Sequence, residues 1–346
     1  MSRGVHSFPE PGGGRAGRRD GGTSVVTRAR SARAEGELAK EAAWNRPRIA
    51  ELSEAYGTGR LCLILGAGLS KGCGLPMWNE LNLRLLKLAL RGLYEAVGPE
   101  EAPLHERDIE ATLKERVRPM VGRYVKAKLG ERYLDDLRAA LYRDPVRLSR
   151  TVRAVLSLDR LHAILTFNFD EILERFAQEL GVAGRYLPVY EPPICAVAGK
   201  IPIYHTHGFL PSDPSAPRSS TVVFSEDDYH EILYHAHHWT DHVAIQLLAR
   251  YTCLFLGTSG EDPNLRRLID LTRHLADPPR HYILLKPPAS PPADARSAIR
   301  YSASRRAVWD AFDHIGLEVL WIHDYDRDIP RILRTIAGSV QGAPND

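Results

Sequence analysis

Two kinds of apolar pattern alternate along the chain. Leu61-Cys62-Leu63-Ile64-Leu65 is a short continuous apolar run closed by Gly66, and a run that is apolar on both faces suits a strand buried in a parallel sheet. Similar runs stand at His162–Phe167, Ile201–Tyr204, Thr252–Leu256, Tyr282–Leu285 and Leu317–Ile322. Helical spacing of apolar residues separates most of them, which predicts a mostly parallel α/β sheet with flanking crossover helices. A first helix is expected from about Glu35 to Tyr56. The span from Trp78 to Leu158 reads as almost wholly helical and is too long for one crossover, so residues 78–158 are expected to form an inserted helical subdomain. Glu226–Arg250 reads as one long helix with Ser225 at its N-cap. Residues 287–292 read as a proline-rich loop, and the chain beyond Gly338 as frayed. The domain is thus expected over 35–338, between a tail at 1–34 and a frayed end at 339–346.

Charge divides this picture. The 346 residues carry a net +3, yet residues 1–34 hold seven arginines against Glu10 and Asp20, leaving about −2 for the rest. The Gly- and Arg-rich tail is expected to be disordered, a composition also compatible with a transit peptide. A slightly acidic body has no built-in attraction for a phosphate backbone, so nucleic-acid binding is not expected. No apolar stretch approaches the roughly 18 residues that span a bilayer. Cys62, Cys73, Cys195 and Cys253 stand at no metal-ligand spacing, which points to a reducing, cytoplasmic setting without structural zinc or disulfides. His238 and His242 have the i,i+4 spacing of a ligand pair within a cluster that includes His230, His235 and His237. No cysteine or carboxylate motif completes a set there, and a solvated helix face is the expected role.

Candidate chemistry gathers just after the expected strands. Gly66-Ala67-Gly68-Leu69-Ser70 follows the first, Asn168-Phe169-Asp170 the second, His205-Thr206-His207-Gly208 the third, and Gly257-Thr258-Ser259-Gly260-Glu261-Asp262 the fourth. Ligands of open, Rossmann-like sheets bind in the crevice at those ends. Gly66 and Gly68 permit a tight turn and close approach to a pyrophosphate, although G-x-G alone also fits an ordinary strand-to-helix turn. Asp170 suits the N-cap of the helix that follows it. Asp262-Pro263 suits a helix start with proline at its first position. His205 and His207 alternate as strand residues do, which would put both on one side.

These stretches resemble the sirtuin motifs in order. Residues 66–78, Gly-Ala-Gly-Leu-Ser-Lys-Gly-Cys-Gly-Leu-Pro-Met-Trp, are similar to GAGxS followed by GIPDF; Thr166-Phe167-Asn168-Phe169-Asp170 to TQNID; His207-Gly208 to the catalytic HG; and Gly257-Thr258-Ser259 to GTS. The resemblance is nearer to bacterial SIR2-like domains, whose GxSxxDPN is matched through Asp262-Pro263-Asn264 and whose preceding stretch is similar to Phe224–Tyr229. It implies that Gly66, Ala67, Gly68 and Ser70 hold the phosphates of NAD, the substrate, and that Trp78 lies near the ribose and nicotinamide. Asp170, Gly257, Thr258, Ser259, Asp262 and Asn264 would contact the nucleotide or shape its pocket. Asn168 would position water or a ribose hydroxyl, and His207 would act as general base. The zinc-binding cysteine pairs of deacylase sirtuins are absent, Phe167 replaces the glutamine of TQNID, and Met77 and Asn79 replace the residues flanking the phenylalanine. Hydrolysis of NAD to nicotinamide and ADP-ribose survives those losses better than protein deacylation. ADP-ribosyl transfer and non-catalytic NAD sensing stay open. The resemblance further implies an NAD-depleting antiphage effector, restrained by its assembly state or by a partner protein. The length of the helices around Asp108–Leu141 makes them the expected homo-oligomer contact.

Overall fold

The computed structural model describes residues 21–91, 118–194, 197–234, 238–260, 262–275, 277–288 and 294–341. Seven strands form one parallel sheet: β1 (Leu61–Leu65), β2 (Ala163–Thr166), β3 (Tyr186–Val189), β4 (Ile201–His205), β5 (Thr252–Leu256), β6 (His281–Leu285) and β7 (Leu317–Trp321). Their order is β3-β4-β2-β1-β5-β6-β7. With the edge strand β3 set aside, this is the 3-2-1-4-5-6 order of doubly wound dinucleotide sheets, and the winding reverses between β1 and β5. All five β1 residues are buried. Burial of each Leu or Ile side chain there contributes about 1.5–3 kcal/mol, so the central strand anchors both loops at the switch point.

Helices cover both faces: α1 (Gly21–Gly57), α2 (Ala67–Lys71), α3 (Trp78–Ala89), α4 (Arg118–Leu129), α5 (Tyr133–Leu141), α6 (Arg150–Leu156), α7 (Ile172–Glu179), α8 (Glu226–Tyr234), α9 (Trp239–Arg250), α10 (Pro263–Arg273), α11 (Ala295–His314) and α12 (Tyr325–Gln341). Within 78–158 the described residues form α3, α4, α5 and α6, with residues 142–149 outside any helix, and residues 92–117 lie outside the described residues. None of the described helices is long and apolar enough to cross a membrane.

Several boundaries differ from the pattern-based reading. α1 starts at Gly21, not Glu35. Alanine and arginine over residues 28–34 are good helix formers and carry the helix back from Glu35, whereas the Gly-Gly-Thr-Ser-Val-Val-Thr before them has no such preference. The long helix over 226–250 is two helices, with His238 as the N-cap of the second and residues 235–237 outside the description. His238 therefore precedes the helix on which it was paired with His242. Ser225 does not cap by accepting: its hydroxyl and amide, with the Phe224 amide, all donate to Asp228 Oδ2 at 2.7–3.0 Å. β3 was not expected, because Tyr-Leu-Pro-Val is short and carries a proline, which a sheet accepts only at its edge. β7, the other edge, is covered by α1: Asn45 Nδ2 donates to Trp321 O at 2.8 Å and the Trp321 amide donates to Asn45 Oδ1 at 3.1 Å. One side chain thus occupies both backbone groups of an edge residue.

Candidate active site

The carboxyl ends of β1, β2, β4 and β5 converge on two polar systems. The first is centred on Asn168. Its Nδ2 donates to Gly66 O at 3.1 Å and to Ser70 Oγ at 3.0 Å, while its amide donates to Thr166 Oγ1 at 3.0 Å. Ser70 passes its own proton to Asp170 Oδ2 at 2.7 Å. The network fixes the amide orientation, since Gly66 O can only accept. Both Asn168 side-chain N–H groups are therefore committed, and Oδ1 has no partner among the described residues.

Asp170 combines two roles. Its Oδ1 accepts from the Ile172 amide at 3.1 Å at the start of α7, while Oδ2 holds Ser70. Asp170 was expected at the N-cap, but the helix opens at Ile172 and Glu171 holds that position, so Asp170 bonds its first amide from one residue further out. Burial pushes its carboxyl up to about 6, against the opposing hydrogen bonds from Ser70 and Ile172.

The second system is centred on His207. The strand ends at His205, so the expected alternation lapses and the two imidazoles part. His205 turns to the Asn168 carbonyl and Glu174, whereas His207 lies 5.0 Å from the Phe167 ring and edge-on to Tyr229 at 5.3 Å. The Tyr229 hydroxyl donates to Asp262 Oδ2 at 3.0 Å, and Asp262 Oδ1 caps α10 through the Leu265 amide at 2.9 Å. His207 is buried, and its Nε2 finds no partner among the described residues. Burial outweighs the Asp262 carboxylate and a backbone hydrogen bond with Phe167, and lowers the ring to about 4. The ring is thus neutral at pH 7. A cavity of about 420 Å³ opens beside this loop, lined by Thr206, Gly208, Val223, Asp228 and Trp239 among others.

The glycines of the first loop do something the sequence did not suggest. Gly66 N donates to Leu256 O and Gly68 N to Gly257 O, at 2.9 and 2.8 Å. A Cβ on Gly66 would stand 2.8 Å from Gly257 O, and one on Gly68 2.8 Å from both Gly257 Cα and O. Gly257, at φ +67°, would bring a Cβ to 2.5 Å from the Leu69 amide. Their missing side chains therefore let the β1 and β5 loops touch each other.

The remaining expected residues scatter. Thr258 Oγ1 accepts from the Gly260 amide at 3.2 Å beside Gly66, and Ala67 opens α2 half-buried. Ser259 is exposed. Asn264 Oδ1 accepts from Arg267 at 2.7 and 3.0 Å. Trp78, 40% exposed, lies 6.0 Å from the Phe224 ring, which in turn lies 6.3 Å from the ring of Phe169, next to Asn168. Tyr229 and Glu174 were not singled out. Tyr229 stands inside the Phe224–Tyr229 stretch, and Glu174 lies in the first turn of α7, four residues past Asp170. Cys62, Cys73 and Cys253 are free and buried, and Cys195 lies outside the described residues. Among the described residues no group of three His, Cys, Asp or Glu could hold a metal.

No curated protein matches the chain. Among solved structures it is similar to one described as "Structural Basis for the Mechanism and Regulation of Sir2 Enzymes", at 13% identity and a TM-score of 0.37, covering 85% of this chain and 96% of that one. That likeness is too distant to carry residue correspondences. A family model, the SIR2-like domain, matches residues 162–307. The matched span runs from β2 into α11 and includes Asn168, Asp170, His207 and the β5 loop, while the Gly66–Ser70 loop precedes it. Residues 162–307 are thus similar to the SIR2-like domain family, over somewhat less than half of the chain.

Proposed function

We propose that the protein is an NAD glycohydrolase that cleaves the nicotinamide–ribose bond to release nicotinamide and ADP-ribose. The observation that carries the reading is the buried, neutral His207, whose Nε2 is unpartnered among the described residues, beside an otherwise fully bonded Asn168. The SIR2-like match supports NAD as the substrate.

The chemistry asks for little beyond these groups. Nicotinamide leaves as a neutral molecule from a pyridinium, so no general acid is needed and the two-carboxylate arrangement of most glycosidases is dispensable. A neutral imidazole accepts a proton from the attacking water. Asn168, with both donors spent, orients a water or ribose hydroxyl through Oδ1 as acceptor. Asp262 is fixed by Tyr229 and the Leu265 amide, and its charge favours the imidazolium formed when His207 takes the proton. Unrestrained, such an activity would deplete NAD, in keeping with an effector held by a partner or by assembly.

Chromatography of purified protein incubated with NAD tests this. Nicotinamide release is expected from the wild type and is expected to fall by about 10²-fold or more in Asn168→Ala and His207→Ala. NAD recovered bound and intact from an inactive wild type would instead favour a sensor, and the absence of binding would remove NAD from the account.

A further inference from the structure

His205 is 1% exposed at the end of β4, where it is the register partner of Thr166 on β2. Its Nδ1 lies 3.2 Å from the Asn168 carbonyl oxygen and its Nε2 lies 2.8 Å from Glu174 Oε1 on α7. The Phe209 ring closes one side, edge-on at 4.8 Å. A backbone carbonyl only accepts, so Nδ1 must carry a proton for that contact to be a hydrogen bond. The Nε2 contact also needs a proton between its two atoms. Glu174 retains 18% side-chain exposure, whereas the imidazole has none to speak of. Glu174 Oε2 is itself buried without a partner among the described residues, so the ring N–H is the one donor this carboxylate finds there, and the shared proton belongs on the ring.

We propose that His205 is a positioning residue for Asn168, doubly protonated so that it donates at once to the Asn168 carbonyl and to the Glu174 carboxylate. Every polar group of Asn168 except Oδ1 is then held: its amide by Thr166, its carbonyl by His205, and its Nδ2 by Gly66 and Ser70. The charged groups facing the ring are Glu174 and Asp170, both acidic. Burial of the ring opposes its charge, but the Glu174 carboxylate and its hydrogen bond, the Asn168 carbonyl and Asp170 outweigh burial and raise His205 above the ordinary histidine value. Neighbouring His207, without a paired carboxylate, moves the opposite way. Two histidines two residues apart thus take opposite protonation states, one as a cationic strut and one as a free base.

Only the kinetic arm of the test rests on the NAD-cleaving reading. In protein labelled with ¹⁵N at histidine, both His205 nitrogens should report N–H at pH 7. The Asn168 side-chain amide signals should shift over the pH range in which His205 loses its proton. Glu174→Gln removes the charge but keeps an acceptor and the shape. It should lower the pH of that transition by about one unit and hasten exchange of the Asn168 amide protons, with the melting curve retained. With NAD, the same variant should move the alkaline limb of kcat to lower pH and reduce kcat by up to about a hundredfold, a scale typical of small misplacements in a site. A His205 ring carrying a single proton at pH 7 in the wild type overturns the proposal. So do Asn168 signals indifferent to its titration. An active Glu174→Gln protein whose pH profile has not moved also overturns it. A wild type that releases no nicotinamide fails the glycohydrolase reading, while the two spectroscopic results still decide the role of His205.

Discussion

Gly68→Ala and Gly257→Ala separate two explanations of the same glycines. If they exist to admit a phosphate, an alanine should spare the free protein and impair only binding. The geometry says otherwise, and the two positions should differ from each other. Gly68 has no positive φ, so only overlap counts: its Cβ would lie 2.8 Å from Gly257 Cα and O. Overpacking of that kind costs about 1–3 kcal/mol. Gly68 is inside α2, where alanine regains about 1 kcal/mol of helix propensity. A net loss of about 0–2 kcal/mol follows. Gly257 adds a left-handed backbone at φ +67°, worth about 1–2 kcal/mol against any L side chain, to a tighter overlap at 2.5 Å.

Gly257→Ala should therefore lose about 2–5 kcal/mol. Urea unfolding of both variants without NAD reads this directly, through a shifted midpoint at unchanged slope. If both variants melt within about 0.5 kcal/mol of the wild type, a span ordinary for neutral surface changes, the loop–loop contact is not what these glycines serve. Nucleotide contact would then regain first claim on them.

Other outcomes follow from the two polar systems and from α1. Ser70→Ala takes away the hydroxyl between Asn168 Nδ2 and Asp170 Oδ2, leaving buried groups unpaired at about 1–3 kcal/mol; denaturant melts should show it, and Asp170 should titrate above its present value of about 6. His207, lowered to about 4, contributes stability that is present above its unfolded value of 6.5 and is lost as pH falls through 4, about 3 kcal/mol in all. Asp170, raised to about 6, runs the other way: its contribution is full below 3.8 and is lost as pH rises through 6, again about 3 kcal/mol. The two nearly offset in the wild type, so His207→Gln should gain about 3 kcal/mol relative to it between pH 7.5 and 4.5 in paired urea melts; an unchanged difference would refute the burial argument. Glu41, 3% exposed, accepts from Tyr301, Arg305 and His323 at 2.5–2.6 Å and so ties α1 to α11 and the end of β7. Glu41→Ala should cost about 3 kcal/mol or more by stranding its partners, with the loss visible as faster amide exchange in α1.

What was legible in the sequence follows how local each determinant is. Continuous apolar runs gave six of the seven strands within a residue or two, because burial on both faces leaves no room for polar alternation. The missing β3 has too few residues, one of them Pro188, to stand out from a loop. The Asp262-Pro263 cap was readable because its chemistry lies within three residues. The bonds from Asn168 to Gly66 and Ser70 span about a hundred positions, and nothing local announces them. The single long helix over 226–250 was misread for the complementary reason, since helical periodicity does not register a short break that leaves both halves in phase.

The site divides its labour in a way that motif spacing could not show. One half is closed: Ser70, Asn168, Asp170, His205 and Glu174 form a continuous chain of bonds from β1 across β2 and β4 to α7, almost every donor spent. The other half is open: His207 keeps a buried nitrogen without a partner among the described residues, between two aromatic rings and near a fixed carboxylate. Rigid, satisfied networks hold geometry because each bond removed leaves a buried group exposed to its full desolvation penalty. A buried base left unsatisfied in the same setting is the kind of exception that concentrates at functional sites, where a reacting molecule completes it. On the proposed reading, the chemistry lies at His207, and the Asn168 side keeps one acceptor, Oδ1, in a fixed place. A variant of the closed half should therefore disturb stability and rate together. A conservative change at His207 should abolish rate while improving tolerance to acid, and that divergence distinguishes a base from a strut.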